Sequence, residues 1–534
     1  MFDFVIKNGL IVDGSGEKPY RASLGITANK ISAVSAGSLD GTNCIDASGM
    51  IVAPGFIDLH SHSDCIFLVD NRSEGKVFQG VTTEFIGNCG ISLFPNTPPT
   101  LPYLKEYAAT VLTGSQHLDS LPADLREYGS TVNDKRPAIN CAALIGHGTL
   151  RISALGFADR DPTQAELSAM QELLAKELTA GAWGMSLGLI YPPGSFSKTR
   201  ELVELAKVLV KYDAVLCAHI RGESDRIFAA VEELLNIAYQ TGVHIHISHL
   251  KLMGTAQWGQ APALLARIKK ARAEGLKVSC DQYPYEASFT GLSALLPPWA
   301  HEGGITAMLA KLQGAKRAEI LPLVAEEMAK RGGPGRVIIS NVSKTNPSWE
   351  GKSIAEISSW TNLSPAETVV RILLDTAGYA RAIYYSMDQG DIFTIMRDLN
   401  IAVASDGIAL DYDNQFTEGK PHPRNFGTFP RFLRLVREND LLPIEKAVYK
   451  MTGLPAQLIG LTDRGIIQKG NIADIVIFDP AKISDRATFA SPFQKPAGIE
   501  YVLVSGRPVV HKNKQQADKP GEFLLKNSGR VVTT

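Results

Sequence analysis

Side chains able to hold a metal or move a proton recur where apolar runs of this chain end. They are His60 and His62 in FIDLHSHSD, Cys89 in GNCG, His219 in CAHIRGE, His249 in ISHLK and Asp406 in ASDG. Imidazole, thiolate and carboxylate are the ligands zinc accepts, and a catalytic zinc takes three of them with a fourth position open to water. A metal so held brings the pKa of that water down to about 7. A neighbouring carboxylate can then take the proton and pass it to a leaving group. Cys89, His219 and His249 make a three-ligand set. His60, His62 and Asp406 are expected to bind a second metal or to shape the water around the first, with Asp406 the proton-transferring group. Each residue alone reads as core, turn or loop, so the chemistry depends on a fold that brings them together.

Strand-like runs at 50–60, 81–90, 138–148, 182–191, 214–220, 243–250, 276–285 and 400–407 alternate with amphipathic helical segments, clear at 162–181, 199–213, 223–242 and 261–275. That alternation predicts an α/β fold, a (β/α)8 barrel of TIM type, over 56–464. Every candidate residue then falls at the C-terminal end of a barrel strand, the rim where sites of this fold lie. A long gap separates the seventh and eighth strands, and within it 286–345 is expected to form an inserted lid or subdomain.

The chain ends have another rhythm. Residues 1–55 alternate as short strands and read as a small antiparallel sheet, unable to bury its apolar face unaided. GIIQKGNIADIVIFDP (465–480) and IEYVLVSGRPVVHKN (499–513) supply similar strands. The expected arrangement is one small β-sandwich, with 1–55 as its first part and 465–534 as its second part and tail.

Composition narrows the partners. The 54 Lys+Arg against 55 Asp+Glu leave a formal net charge of −1, which offers no electrostatic reason for a nucleic-acid or anionic-membrane partner. No apolar run reaches the roughly 18 residues of a membrane span. The first residues lack the features of a signal peptide. Cys44, Cys65, Cys89, Cys141, Cys217 and Cys280 are scattered singly, so reduced thiols and a cytoplasmic location are expected. A small-molecule substrate is the expected partner. Among the other histidines, His147 reads as a supporting group, a substrate contact or merely a cap on its loop. His244 and His246 stay unassigned, and His117, His301, His422 and His511 read as surface or loop.

GFIDLHSHSD, ADIVIFDP and VLVSGRPVV together resemble the amidohydrolase superfamily. GNCG, HIRGESD, SHLK, DQYPYEAS (281–288) and ASDG are narrower and resemble its N-acyl-D-amino-acid deacylase, or D-aminoacylase, branch over about residues 4–513. The resemblance implies hydrolysis of an N-acyl-D-amino acid to a carboxylate and a free D-amino acid, on a metal-dependent barrel with a β-sandwich built from both ends. It implies that Cys89, His219 and His249 hold one tight Zn2+ and that His60 and His62 belong to a weaker second site. It gives Asp406 the proton transfer. It further implies that Lys251, Tyr283 and Ser288 receive the α-carboxylate and that Tyr191 lies close to the scissile amide. Rival readings are an amidohydrolase acting on a cyclic amide, dihydropyrimidinase-like, or on a D-residue-containing dipeptide, and a non-catalytic binding protein on a barrel. Side-chain preference stays open between an apolar pocket at Leu252 and Met253 and an acidic one at Arg381. Arg221 and Glu223 stay open between a local ion pair and substrate contact.

Overall fold

The computed structural model describes residues 1–342, 344–416 and 419–526, so the end of the expected C-terminal tail, 527–534, lies outside the described residues. Its barrel strands are Phe56–Asp58, Val81–Ile86, Asn140–Ala143 continued by Ile145–Gly146, Gly184–Gly188, Val215–His219, His244–Ile247, Val278–Gln282 and Ile401–Val403. All pair in parallel with their neighbours. Parallel strands covered by helices are buried on both faces, which explains why they read as near-continuous apolar runs. The barrel closes between its first and last strands: Asp406 N donates to His60 O at 2.9 Å and His62 N to Gly407 O at 2.9 Å. That closure carries Asp406 to the first strand's histidines although the two are far apart in sequence.

The helices start and stop for local reasons. Gln164–Ala180 opens on a reciprocal cap between Thr163 and Glu166 and ends at Gly181, whose φ of 112° suits glycine. Thr199–Lys211 buries Leu202, Leu205, Ala206 and Leu209 at helical spacing. At the opposite end of the barrel from the rim, Phe523–Leu524 adds a short parallel strand beside Asn140–Ala143, and Trp183 Nε1 donates to Leu524 O at 2.9 Å. Among the described residues no helix is long and apolar enough to cross a membrane.

Both chain ends meet in one sandwich. Ile6, Leu24, Ile26 and Val52 from the start share a core with Ile475, Ile477 and Leu503 from the end. The first 55 residues are not, however, a single antiparallel sheet. Phe2–Lys7 pairs in parallel with Gly41–Asp46, because the link at 36–40 carries the chain to the far edge of the sheet without reversing it. Leu10–Ile11 and Ile51–Pro54 belong instead to the second sheet, with Ile475–Phe478 and Ile499–Val504.

The insertion also runs further than 286–345. Arg381–Tyr385 lies between Ala287–Gly291 and Val337–Asn341 as the central strand of an antiparallel sheet, so the unit is incomplete before residue 385. Helices Gly304–Gln313, Arg317–Lys330, Ile354–Thr361 and Pro365–Asp375 pack with it around a separate apolar core.

Candidate metal centre

Cys89 Sγ lies 3.5 Å from His219 Nδ1 and 3.6 Å from His249 Nε2, and those nitrogens are 3.0 Å apart. Zinc bonded tetrahedrally at its usual lengths to sulfur and nitrogen separates S and N by roughly 3.5 Å, so the donor set and its spacing fit that ion. Cys89 also belongs to a second group. Its Sγ is 3.3 Å from His60 Nε2, while Asp406 Oδ1 is 3.5 Å from His60 Nε2 and 3.1 Å from His62 Nε2. The potential ligand atoms within each group lie within 4.8 Å of one another, and every one of these residues is buried. Burial alone would push the Cys89 thiol up; His60, His62, His219 and His249 outweigh it and hold the thiol well below its usual range.

Backbone geometry aims these side chains. Cys89, His249 and Asp406 have φ of 52°, 39° and 50°, in the left-handed region that non-glycine residues rarely occupy. Each costs of order 1–3 kcal/mol and persists where surrounding structure over-determines it, a pattern concentrated at functional sites. Gly188 permits the turn at Cys89: a Cβ there would sit 2.0 Å from Cys89 O. Below the rim, buried Lys76 Nζ donates to Asp58 Oδ2 and to Ser405 Oγ, both at 2.6 Å. Asp58 Oδ1 accepts the Ser405 N–H at 2.9 Å, which ties the strand before Asp406 to the strand before His60.

Carboxylates back the imidazoles. Glu223 Oε1 faces the outer nitrogens of both proposed ligands, 3.2 Å from His249 Nδ1 and 3.6 Å from His219 Nε2, and is 2.5 Å from Lys251 Nζ. A carboxylate in that place orients a ligand ring and fixes its tautomer. Asp281 Oδ1 accepts the His249 N–H at 2.7 Å, and its Oδ2 lies 2.8 Å from His246 Nε2 and 3.6 Å from His60 Nδ1. Asp406 is paired on its other oxygen: Arg424 Nη1 donates to Oδ2 at 2.7 Å. Burial works to raise the Asp406 pKa, but Arg424, His249 and the first-strand histidines hold it well below the usual carboxylate range.

A cavity of about 540 Å³ opens over this centre, lined by His62, Cys89, His219, His249 and Asp406 together with Tyr191, Lys251 and Ser288. Tyr283 is buried beside it, its ring 5.7 Å from Lys251 Nζ and 4.9 Å from the Arg424 guanidinium, and its hydroxyl has no hydrogen-bond partner among the described residues. The Tyr191 ring meets His219 edge-on at 5.1 Å, and its hydroxyl pairs with Thr290 Oγ1 at 2.9 Å. Met253 and Arg381 line the same cavity. Arg381 donates to Thr113 Oγ1 at 2.7 Å and has no carboxylate partner among the described residues; burial pushes its pKa down to about 10.

Other residues stand apart from the centre. Arg221 turns to Glu233, its Nε 2.9 Å from Oε2, so it is Glu223 and not Arg221 that reaches His219 and His249. His147 Nε2 pairs with Glu201 at 2.7 Å. His422 lies in a loop as expected but not at the surface: it is fully buried, with Nε2 2.9 Å from Ala287 O. Arg424 escaped sequence reasoning. Its signal is an arginine at the first position of the helix Arg424–Asn439, where the helix dipole disfavours a cation and a compensating anion is to be sought.

Comparison with known proteins adds independent findings. A model described as "Amidohydrolase family" matches residues 43–510. The chain is 38% identical to an N-acyl-D-glutamate deacylase of Alcaligenes xylosoxydans xylosoxydans, over 98% of this chain and 97% of that one. Its structure resembles that of the N-acyl-D-glutamate deacylase from Bordetella bronchiseptica complexed with zinc and a phosphonate mimic of the tetrahedral intermediate. That match has a TM-score of 0.83 and 36% identity over 98% of this chain and 99% of that one. It also resembles a D-aminoacylase whose binuclear centre is described by one-metal activation and second-metal attenuation, with a TM-score of 0.82 and 32% identity over 99% and 100% of the two chains.

Proposed function

The chain belongs to the amidohydrolase family, in its N-acyl-D-amino-acid deacylase branch, and from that membership we propose that it hydrolyses N-acyl-D-amino acids to a carboxylate and a free D-amino acid. The observation that carries this reading is the convergence of Cys89, His219 and His249, with Asp406 beside them, on one cavity. Cys89, His219 and His249 would hold the essential zinc. His60, His62 and Asp406 would offer a weaker second site that shares the Cys89 thiolate. Zinc, when bound, polarises the acyl carbonyl and acidifies the attacking water.

The protein's own groups do the rest. Asp406 Oδ1 accepts the proton of the attacking water and returns it to the amide nitrogen as the C–N bond breaks, so no acyl-enzyme forms. Arg424 holds the other Asp406 oxygen and fixes the direction of that transfer. Lys251 Nζ, the Tyr283 hydroxyl and Ser288 receive the α-carboxylate, and Glu223 keeps Lys251 and both ligand rings in register. With the carboxylate anchored there and the carbonyl over the metal ligands, the L-enantiomer would drive its side chain into the wall.

The same reading extends to the side chain. A half-buried guanidinium without a carboxylate is costly, and a substrate that supplies one and covers it recovers the cost. Arg381 in the cavity wall therefore favours N-acyl-D-glutamate or N-acyl-D-aspartate over apolar substrates. The free cysteines among the described residues support the cytoplasm as its compartment. The test is turnover of N-acetyl-D-glutamate, N-acetyl-D-aspartate, N-acetyl-D-methionine and their L-enantiomers by the zinc-loaded protein. D-specific hydrolysis led by the acidic pair is expected. Equal rates on D and L forms defeat the stereochemical reading, and a lead for D-methionine defeats the role of Arg381.

A further inference from the structure

Proposed anchors flank the metal ligands in rim order. Tyr191 lies at the end of the fourth strand, His219 ends the fifth, and His249 and Lys251 follow the sixth. On the deacylase reading, a substrate with its carboxylate at Lys251 and its carbonyl over His219 and His249 must send its acyl group towards Tyr191 and Ile190.

A side cavity of about 70 Å³ opens at that place, sharing Ile190, Tyr191 and Thr290 with the main cavity. Leu296 and Pro298 also border both cavities, and the further wall is Phe157 and Ile305. Three polar contacts around it are already made. Glu106 accepts the Ile305 N–H, His301 Nε2 lies 3.1 Å from Ser293 O, and Tyr191 pairs with Thr290. The Tyr107 hydroxyl has no hydrogen-bond partner among the described residues, but it is directed at Gly148, where an added Cβ would come within 2.6 Å of it. The rest of the wall is mainly apolar, with room for about four water-sized groups.

We infer that this side cavity is an acyl-chain subsite, and that the protein takes N-acyl-D-amino acids whose acyl group is a straight apolar chain longer than acetyl. Each methylene that enters replaces water against apolar wall, a gain of about fourfold in kcat/KM, or about 0.8 kcal/mol. The gain ends when the cavity is full, and longer chains then meet Phe157 and Ile305.

The experiment is a chain-length series (acetyl, butanoyl, hexanoyl and decanoyl) on whichever D-amino acid turns over fastest, with the zinc-loaded protein. A rise of at least tenfold from acetyl to hexanoyl, followed by a fall at decanoyl, is expected. Ile305→Trp should move the optimum back towards acetyl, and Phe157→Ala should move it to longer chains. A flat or falling profile with normal acetyl hydrolysis overturns the subsite and leaves the deacylase reading intact, as does a profile that neither variant changes. Absence of hydrolysis across every chain length overturns the deacylase reading and the subsite with it.

Discussion

Arg424 and Asp406 form a buried ion pair of 2.7 Å, and the free side of the same carboxylate faces His62 at 3.1 Å. The proposed proton-transferring group is thus held by one oxygen and presented by the other. Asp406→Asn keeps the shape and loses the base, so kcat should fall by a factor of about 10²–10⁴. Zinc at the Cys89, His219 and His249 site should be retained. Elemental analysis alongside turnover checks both, and near-normal turnover would assign the proton to another group.

Arg424→Met tests the pairing itself. Arg424 opposes the upward push of burial on Asp406, so its removal lets that carboxyl pKa rise. Activity needs the ionised form, and the acid limb of the kcat/KM profile should therefore move to higher pH. An acid limb that stays in place would show that Arg424 does not tune Asp406.

The clustering of the candidate ligands was legible because a barrel turns sequence position into place: residues ending successive apolar runs, such as His219 and His249, must meet at one rim. What was hidden depends on rotations that sequence does not encode. Arg221 and Glu223 sit two residues apart, yet one turns outward to Glu233 and the other inward to both ligand rings. The left-handed turns at Cys89, His249 and Asp406 carry no local signal beyond a following glycine in two of the three. The insertion was cut short because its last strand, Arg381–Tyr385, is central in its sheet and lies far along the chain from its partners.

Cys89 is common to both candidate ligand groups, whereas His62 belongs to one. Cys89→Ala should consequently abolish tight zinc binding, while His62→Ala should keep one equivalent and its activity. An ion held by His60, His62 and Asp406 would occupy the carboxylate proposed to move the proton, so excess zinc should slow the native protein and leave His62→Ala unaffected. Activity titrations against added zinc, with metal content measured in parallel, read this directly; equal slowing of both proteins would place the inhibitory ion elsewhere.

Arg381 should decide the side chain. A buried charge pair between protein and ligand costs about 2–5 kcal/mol when one partner is truncated. Arg381→Met should therefore lower kcat/KM for N-acetyl-D-glutamate at least about 30-fold while N-acetyl-D-methionine holds or gains. A uniform loss on both substrates would point to damaged packing around Thr113 and would remove the specificity role.

Lys450 offers a test of the barrel's stability away from the site. It is buried, its Nζ donates to Met396 O at 2.8 Å and also to Asp398 O, and burial pushes its pKa down to about 7. In the unfolded chain its pKa is about 10.4. Between those values the unfolded state binds a proton that the folded state does not, so this lysine makes stability rise with pH from about 7 to about 10.4, by at most roughly 1.4 kcal/mol per unit. Below pH 7 both states are protonated and the contribution is flat. Lys450→Met leaves two carbonyls without their donor and should be less stable overall, but its urea midpoint should climb less between pH 7 and 9 than that of the native protein. Parallel slopes in the two proteins would mean that Lys450 is charged in the folded barrel, its burial offset by the carbonyls at the end of the helix Gln389–Arg397.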